Sequence, residues 1–374
     1  MAGIYIHIPF CKQICHYCNF YSLVSVKYRQ PFLKALLKEV SIQKDYLQGE
    51  TVNTIYFGGG TPSLLPANDL RQIIDLIHET HPVHHDVEIT LEANPDDLDK
   101  ATVSTIQKTS VNRLSMGVQS FRDEDLKYLN RVHNARQVIS SIKLAQDAGF
   151  GNMSIDLIFG IPTLSNKNWE ENISTFLDLD IPHLSAYALT IEPKTALEVL
   201  IRKGKTTPVD ENATVSQFQI LMKAMKKFGY GHYEISNYCK PGFCSRHNRS
   251  YWSGEKYLGL GPSSHSYNGS SRQWNIANTR KYIQETDEGK IPAEIETLSI
   301  EQQYNEYVLT TLRTMWGTDS NFIKTKFGIK FLDLFLKASG KFIESGMLVK
   351  KGNTFILSEK GKLFADGISA ELFF

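Results

Sequence analysis

Short apolar runs rich in β-branched residues alternate with longer amphipathic stretches through the first half of the chain. Strands are predicted at residues 4–8, 54–57, 87–91, 113–118, 153–159 and 183–189. Helical patterns fill the gaps. One covers about residues 30–47; a second carries Leu70, Ile73, Ile74 and Ile77 on one face with Asp69 as its cap; a third follows Asn166 with Trp169, Ile173 and Leu177. Six strand-then-helix units in a row predict a parallel sheet with right-handed crossovers.

The segment after each strand decides between an open doubly wound sheet and a barrel. A cysteine-bearing stretch follows the first strand, Gly58-Gly59-Gly60-Thr61-Pro62 the second, Glu92 and Asn94 the third, and Gln119 the fourth, while Asp156 lies within the fifth. A barrel-like array converges these ends on one face, where such folds build their sites, whereas an open sheet spreads them apart. The expected class is therefore α/β, with residues 1–200 forming a partial, TIM-like (β/α)6 barrel. Beyond residue 200 the rhythm changes. A helix over 211–228 leads into Tyr233-Glu234-Ile235 and then an irregular stretch over 236–274 rich in Gly, Ser and aromatics. Residues 201–299 read as a connecting extension. Residues 300–374 read as a winged-helix-like domain: two helical patterns, Met347-Leu348-Val349, a turn at Lys351-Gly352-Asn353, Thr354-Phe355-Ile356-Leu357, and a closing helix from near Ser358.

Composition narrows the function classes. The 374 residues are 41% hydrophobic and 22% charged, ample for a globular core. Lys+Arg number 41 against 40 Asp+Glu, so a net charge of +1 provides no global basic field for polyanions, and nucleic-acid binding is disfavoured despite the winged unit. No run of about 18 apolar residues occurs, and the first residues lack the pattern of a signal peptide. A cytosolic protein is expected, with at most peripheral membrane association. Five cysteines do not suggest a disulfide framework. Cys239 and Cys244, with four residues between them and near His247, read as plain thiols rather than a further metal site.

Cys11-Lys12-Gln13-Ile14-Cys15-His16-Tyr17-Cys18 is the strongest chemical signal. Three soft ligands on one tight loop hold three corners of an iron–sulfur cube and leave the fourth iron open to a small molecule. A zinc site wants a fourth ligand, and His16, set between two of the cysteines, is awkwardly placed to serve. Asp156 inside an apolar strand needs a partner, which a ligand or a structural ion pair supplies equally well. In Arg246-His247-Asn248-Arg249-Ser250-Tyr251-Trp252 the histidine and aromatics fit either a packing cluster or a porphyrin contact.

The C-x3-C-x2-C spacing after an N-terminal strand resembles the radical S-adenosylmethionine (SAM) superfamily. That resemblance implies a [4Fe-4S] cluster on Cys11, Cys15 and Cys18. It also implies SAM bound to the open iron and cleaved there by one electron to a 5'-deoxyadenosyl radical. By the same resemblance Gly59, Gly60, Thr61 and Pro62 serve the methionyl ammonium, offering amide and hydroxyl partners. Glu92, Gln119, Arg131 and Asp156 are the implied SAM ligands, Tyr5 lies beside SAM, and the Tyr17 backbone runs along the adenine. Tyr5-Ile6-His7-Ile8-Pro9-Phe10-Cys11, Gly117-Val118-Gln119-Ser120-Phe121, Asp156-Leu157-Ile158-Phe159-Gly160-Ile161-Pro162 and the winged unit together resemble the oxygen-independent coproporphyrinogen III oxidase group. The oxidase pattern has a fourth cysteine where this chain has Phe20, and a long segment before the cysteine loop where this chain has ten residues. Both departures resemble the HemW-type haem chaperones, as does the HNxxYW segment. This implies haem as cargo, held by His247, Asn248, Tyr251 and Trp252. Client haemoproteins of the respiratory chain and a cluster-dependent homodimer are implied as well. His265, in a second Gly-rich segment, has no assigned role. The alternative is the oxidase itself, a radical SAM decarboxylase of porphyrin biosynthesis.

Overall fold

The computed structural model describes every residue except Val26. Strands β1 (Ala2–Ile8), β2 (Val52–Gly59), β3 (Val83–Ala93), β4 (Arg113–Gln119), β5 (Met153–Phe159) and β6 (His183–Ala188) lie side by side in chain order, all parallel. Between them run α1 (Arg29–Ile42), α2 (Ala67–Thr80), α3 (Lys100–Ile106), α4 (Asp123–Tyr128), α5 (Ala135–Asp147) and α6 (Asn166–Asp178). Two helix starts differ from expectation. Pro66 occupies the cap of α2, so Asp69 sits inside the first turn, where its carboxylate meets the positive helix end. Ser165, not Asn166, caps α6, its hydroxyl accepting from the Asn168 amide.

The strands alternate in an unusual way for a parallel sheet, which is normally apolar on both faces. Ile4, Ile6, Ile8, Ile55, Phe57, Leu114, Met116 and Leu157 are buried in the core shared with the helices. Their neighbours Tyr5, Thr54, Tyr56, Glu88, Glu92, Arg113, Ser115 and Asp156 are polar and belong to the concave face. That face is a chemical surface rather than a packed filling.

After α7 (Ala196–Arg202) and α8 (Glu211–Lys227), the hairpin β7 (Gly231–Glu234) and β8 (Asn237–Cys239) adds antiparallel to β6. Next come α9 (Arg246–Trp252), β9 (Lys256–Leu260), β10 (His265–Tyr267), β11 (Ser271–Asn275), α10 (Thr279–Asp287) and β12 (Ala293–Thr297). Strand β9 pairs parallel with β1. The stretch expected to be irregular is therefore regular and extends the sheet to the other side. Buried Glu39 of α1 fastens it, accepting from the Gly261 amide at 2.8 Å and from Tyr282 and Asn275 at 2.6 Å each. Among the described residues the sheet has twelve strands in the order β12-β11-β10-β9-β1-β2-β3-β4-β5-β6-β8-β7. Its edges, β12 and β7, do not pair with each other, so the barrel is partial. Cys239 and Cys244, read above as plain thiols, are joined as a disulfide with Cα atoms 5.3 Å apart. The bridge closes the turn that leads from β8 into α9.

The C-terminal unit comprises α11 (Ile300–Leu312), β13 (Thr318–Asp319), α12 (Ser320–Phe327), α13 (Ile329–Glu344), the hairpin β14 (Leu348–Lys351) and β15 (Thr354–Leu357), and α14 (Ala365–Glu371). Tyr304, Val308, Phe335, Phe355 and Ile368 form a core of its own. Three helices precede the hairpin instead of two, because Gly328, with φ of 98°, breaks the last pattern into α12 and α13. Among the described residues no helix is long and apolar enough to cross a membrane.

Candidate functional site

The concave face opens at the C-terminal ends of the strands into a cavity of about 950 Å³. This is near the top of the range that small-molecule and cofactor sites occupy, roughly 300–1,000 Å³. Cys11, Cys15 and Cys18 line it, and all three are free thiols. Burial pushes the Cys18 thiol up to about 11 and raises Cys11, against which the Thr61 and Ser22 hydroxyls act. A cationic metal centre reverses that balance and favours thiolates, so the donor set fits iron.

The cysteine loop is held from several sides. The Cys11 amide donates to the Leu23 carbonyl at 3.0 Å, and the His16 amide to the Leu129 carbonyl at 3.1 Å. Asn130 donates to the Ile14 carbonyl at 2.8 Å. Lys12 bridges Asp96, at 2.9 Å, and Asp97. His16 directs its ring toward the Tyr128 carbonyl, 3.1 Å away, which gives it a structural partner.

The glycine run meets the loop edge to edge. The Gly60 amide donates to the Ile8 carbonyl at 2.8 Å and the Thr61 amide to the Phe10 carbonyl at 2.7 Å. These two amides are engaged in fixing the loop, and the Thr61 hydroxyl faces Cys11 Sγ at 3.6 Å. A side chain at Gly60 would press within 2.7 Å of the Phe10 carbonyl oxygen. At Gly59, whose φ is 102°, it would strike the His7 ring at 2.6 Å. Only glycine permits this approach.

Arg131 crosses the cavity wall. It donates to Cys15 Sγ at 3.2 Å and to the Gly117 carbonyl at 2.9 Å, and also meets Asn94, which donates to Thr61 at 3.1 Å. Its Nε has no partner among the described residues. Glu92 accepts from the Tyr56 hydroxyl at 2.8 Å. Burial, with the charge of Asp156 nearby, pushes Glu92 up to about 8, and burial pushes Asp156 up to about 6. Gln119 adopts φ of 68°, a left-handed conformation that non-glycine residues hold at some cost and chiefly at functional positions.

Of the residues expected around SAM, the structure brings Tyr17, Gly59, Gly60, Thr61, Pro62, Glu92, Gln119, Arg131 and Asp156 to this one cavity with the three thiols. Tyr5 lies beneath it, stacked on Tyr56 with ring centres 6.1 Å apart. The haem-motif residues are elsewhere. Helix α9 plugs the opposite, N-terminal end of the barrel. His247 is 1% exposed; its Nδ1 meets the Thr54 hydroxyl at 2.8 Å and its Nε2 the Tyr251 hydroxyl at 2.9 Å. Its ring stacks on Tyr56 at 4.8 Å. Both nitrogens are thus engaged, so His247 as placed presents none to an iron. Tyr251 is occupied by the same bond, and Asn248 bonds the Ser245 cap only through its amide. Trp252 reaches the cavity wall indirectly, with the Arg313 guanidinium 5.3 Å above its ring. His265 stacks on Trp274 outside the cavity.

Sequence reasoning missed the outer half of the cavity. Tyr187, at the end of β6, is one of its walls and was open to the same strand-end argument. Phe218 of α8, and Arg313, Lys362 and Phe364 of the C-terminal unit, come from segments with no motif that points to them.

This array of parallel strands with the cysteine loop at the head of the first is the radical SAM fold. The Radical SAM superfamily profile matches residues 5–176, and that of the HemN C-terminal domain matches residues 298–364. The haem chaperone HemW of Bacillus subtilis is 34% identical over 371 residues, covering 98% of each chain. That of Escherichia coli is 37% identical over 267 residues, 70% of this chain and 69% of its own. Coproporphyrinogen III oxidase (HemN) from Escherichia coli, described as a radical SAM enzyme, aligns with 100% of this chain and 90% of its own, with a TM-score of 0.85 at 22% identity; that likeness is one of fold. The chain belongs to the HemW haem chaperone family.

Proposed function

We propose that this protein is a cytosolic haem carrier that binds haem and delivers it to client haemoproteins of the respiratory chain. In this reading Cys11, Cys15 and Cys18 hold a [4Fe-4S] cluster. The Thr61 hydroxyl and the backbone of Gly59–Pro62 border the SAM ammonium. Glu92 and Asp156 accept from ribose or amine, Arg131 meets the carboxylate, Gln119 helps to fix the ligand, the Tyr17 backbone lies along the adenine, and Tyr5 supports the floor through Tyr56. When bound, the cluster supplies one-electron chemistry and an open iron. Arg131, donating to Cys15, offsets the negative charge that the thiolates bring.

The observation that carries the reading is the cavity itself. Its inner wall bears the thiols and strand-end polar groups, and its outer part, roofed by the C-terminal unit, adds Tyr187, Phe218 and Phe364 to a cavity of about 950 Å³, the volume in which a planar cargo would sit beside a cofactor. Phe20 at its mouth is 67% exposed, where the decarboxylase pattern has a thiol. For His247 to ligate iron it must exchange its bonds to Thr54 and Tyr251, so the reading does not depend on that ligation.

The test is a haem titration followed by Soret absorbance on anaerobically reconstituted protein, then transfer to an apo-haemoprotein. Saturation at about one haem per chain and transfer are expected, with Cys11→Ser still binding haem. Absence of saturable binding, or turnover of coproporphyrinogen III, would return the chain to the decarboxylases.

A further inference from the structure

The outer half of the cavity carries cations that neither the cluster nor SAM uses. Arg313 follows α11 and lines the cavity, its Nη1 paired with Asp366. That partner is a weak competitor, because the Asp366 side chain is 77% exposed and solvent screens the pair. The Nε of Arg313 is buried and has no partner among the described residues. Its guanidinium lies 5.3 Å over the Trp252 ring, which fixes the plane in which it donates. The charge of buried Glu234 also reaches Arg313; its Oε1 accepts from Asn237 and the Ser236 amide, while its Oε2 has no partner among the described residues. Lys362, from the turn before α14, also lines the cavity. It borders a second cavity as well, the one that His232 lines; its ammonium contacts the His232 ring at 2.9 Å, burial pulls its pKa below the ordinary lysine value, and it makes no salt bridge among the described residues. The first cavity is also lined by Tyr187, Leu189, Phe218 and Phe364, with Glu192 and Asp366 as its outer carboxylates.

An apolar, aromatic wall edged by two cations is complementary to a flat macrocycle with two carboxylates on one edge. We propose that the roof of the cavity is the carboxylate subsite for the tetrapyrrole cargo. Arg313, laid on Trp252, and Lys362 receive the two propionates, while Tyr187, Phe218 and Phe364 cover the ring. The proposal rests on the carrier reading. It also gives the HNxxYW segment a second route to the cargo, through Trp252 beneath Arg313 rather than through iron ligation by His247. A guanidinium accepts a carboxylate in two parallel hydrogen bonds, and displacement of the exposed Asp366 releases Nη1 for one of them.

The experiment compares haem with iron-free protoporphyrin IX, which keeps both propionates but offers no metal, on the reconstituted full chain. Native protein is expected to bind both at one site. Arg313→Gln weakens both by about tenfold or more, the scale of a lost charge-assisted hydrogen bond. Arg313→Lys recovers part of the loss, and Lys362→Gln weakens both to a lesser degree. Asp366→Asn, an exposed change that removes the competing carboxylate, tightens both; a folding defect cannot produce that gain. Native affinity in Arg313→Gln and Lys362→Gln overturns the proposal while leaving the carrier reading intact, as does haem binding that protoporphyrin does not compete for. If the native chain binds neither compound, the carrier reading and the subsite fall together.

Discussion

His247 shows how far one side chain's surroundings set its chemistry. A neutral imidazole uses one nitrogen as donor and the other as acceptor, and the Thr54 and Tyr251 hydroxyls satisfy both in either sense. Burial, with the positive charge of Arg113 adding to it, holds the ring down to about 3 from its ordinary 6.5. The folded pKa is depressed, so between about pH 3 and pH 6.5 the unfolded chain binds the extra proton and folding loses ground as pH falls. The full slope is about 1.4 kcal/mol per pH unit for one fully buried group. Native protein is therefore expected to lose stability between pH 6 and pH 4 more steeply than His247→Gln by up to roughly that slope, measured by urea unfolding. Parallel profiles for the two chains would mean that the ring is open to water. The chain itself offers no warning of this burial. A His-Asn-x-x-Tyr-Trp string reads the same on an open loop as in a plug, and what distinguishes them is Thr54, 193 residues away in sequence.

At the scale of elements, α9 is short and depends on its anchors. Seven residues cannot sustain a helix alone. Ser245 caps it by accepting from the Asn248 amide at 3.2 Å, and Glu88 of β3 accepts from the Arg246 and His247 amides at 3.2 Å each. Glu88→Ala orphans two helix-terminal amides at a site where the Glu88 side chain is 5% exposed, and should cost about 2 kcal/mol. Glu88→Gln keeps an acceptor and should cost less than half as much. Denaturant midpoints for the two variants, with hydrogen exchange across residues 245–252, check this; equal losses would mean that the charge rather than the bonds matters. The six parallel strands were legible because each carries an apolar run of period two or denser, whereas α9 has no apolar period and β9 to β11 are three to five residues long, with glycine and serine among them. The inner site was legible for a related reason. In a β/α array the residues at and just after the C-terminal end of each strand must converge, and the thiols, the glycine run, Glu92 and Gln119 all occupy such places. Arg313 and Lys362 occupy none, since docking of a separate unit puts them there.

Across the whole molecule, that docking joins two hydrophobic cores through a small seam in which Ile235 packs against both. The chain after α11 pairs with the hairpin edge: the Ile235 amide donates to the Arg313 carbonyl and the Met315 amide to the Tyr233 carbonyl, both at 3.0 Å, and Glu234 bridges Thr314 antiparallel. Residues 313–315 thereby cover β7, which would otherwise be a bare strand edge. Further ties are the Arg313 guanidinium over Trp252, Tyr233 against Trp316, the part-buried Arg272–Glu306 pair at 2.6 Å, and the exposed Lys226–Glu359 pair at 2.7 Å, which contributes little. A seam of this kind opens locally at lower free energy than either core unfolds. Because the cavity takes its inner wall from the barrel and its roof from the C-terminal unit, a ligand that touches both must suppress that opening. Haem added to the reconstituted full chain should therefore slow amide exchange at residues 233–236, 313–315 and 362–367. SAM, confined to the inner wall, should slow exchange around residues 11–18 and 117–119 and leave the seam unchanged. Seam protection by SAM alone would mean that the two units communicate through the barrel. Haem protection confined to α9 would instead place the cargo at the plugged end, on the far side of the concave face from the thiols.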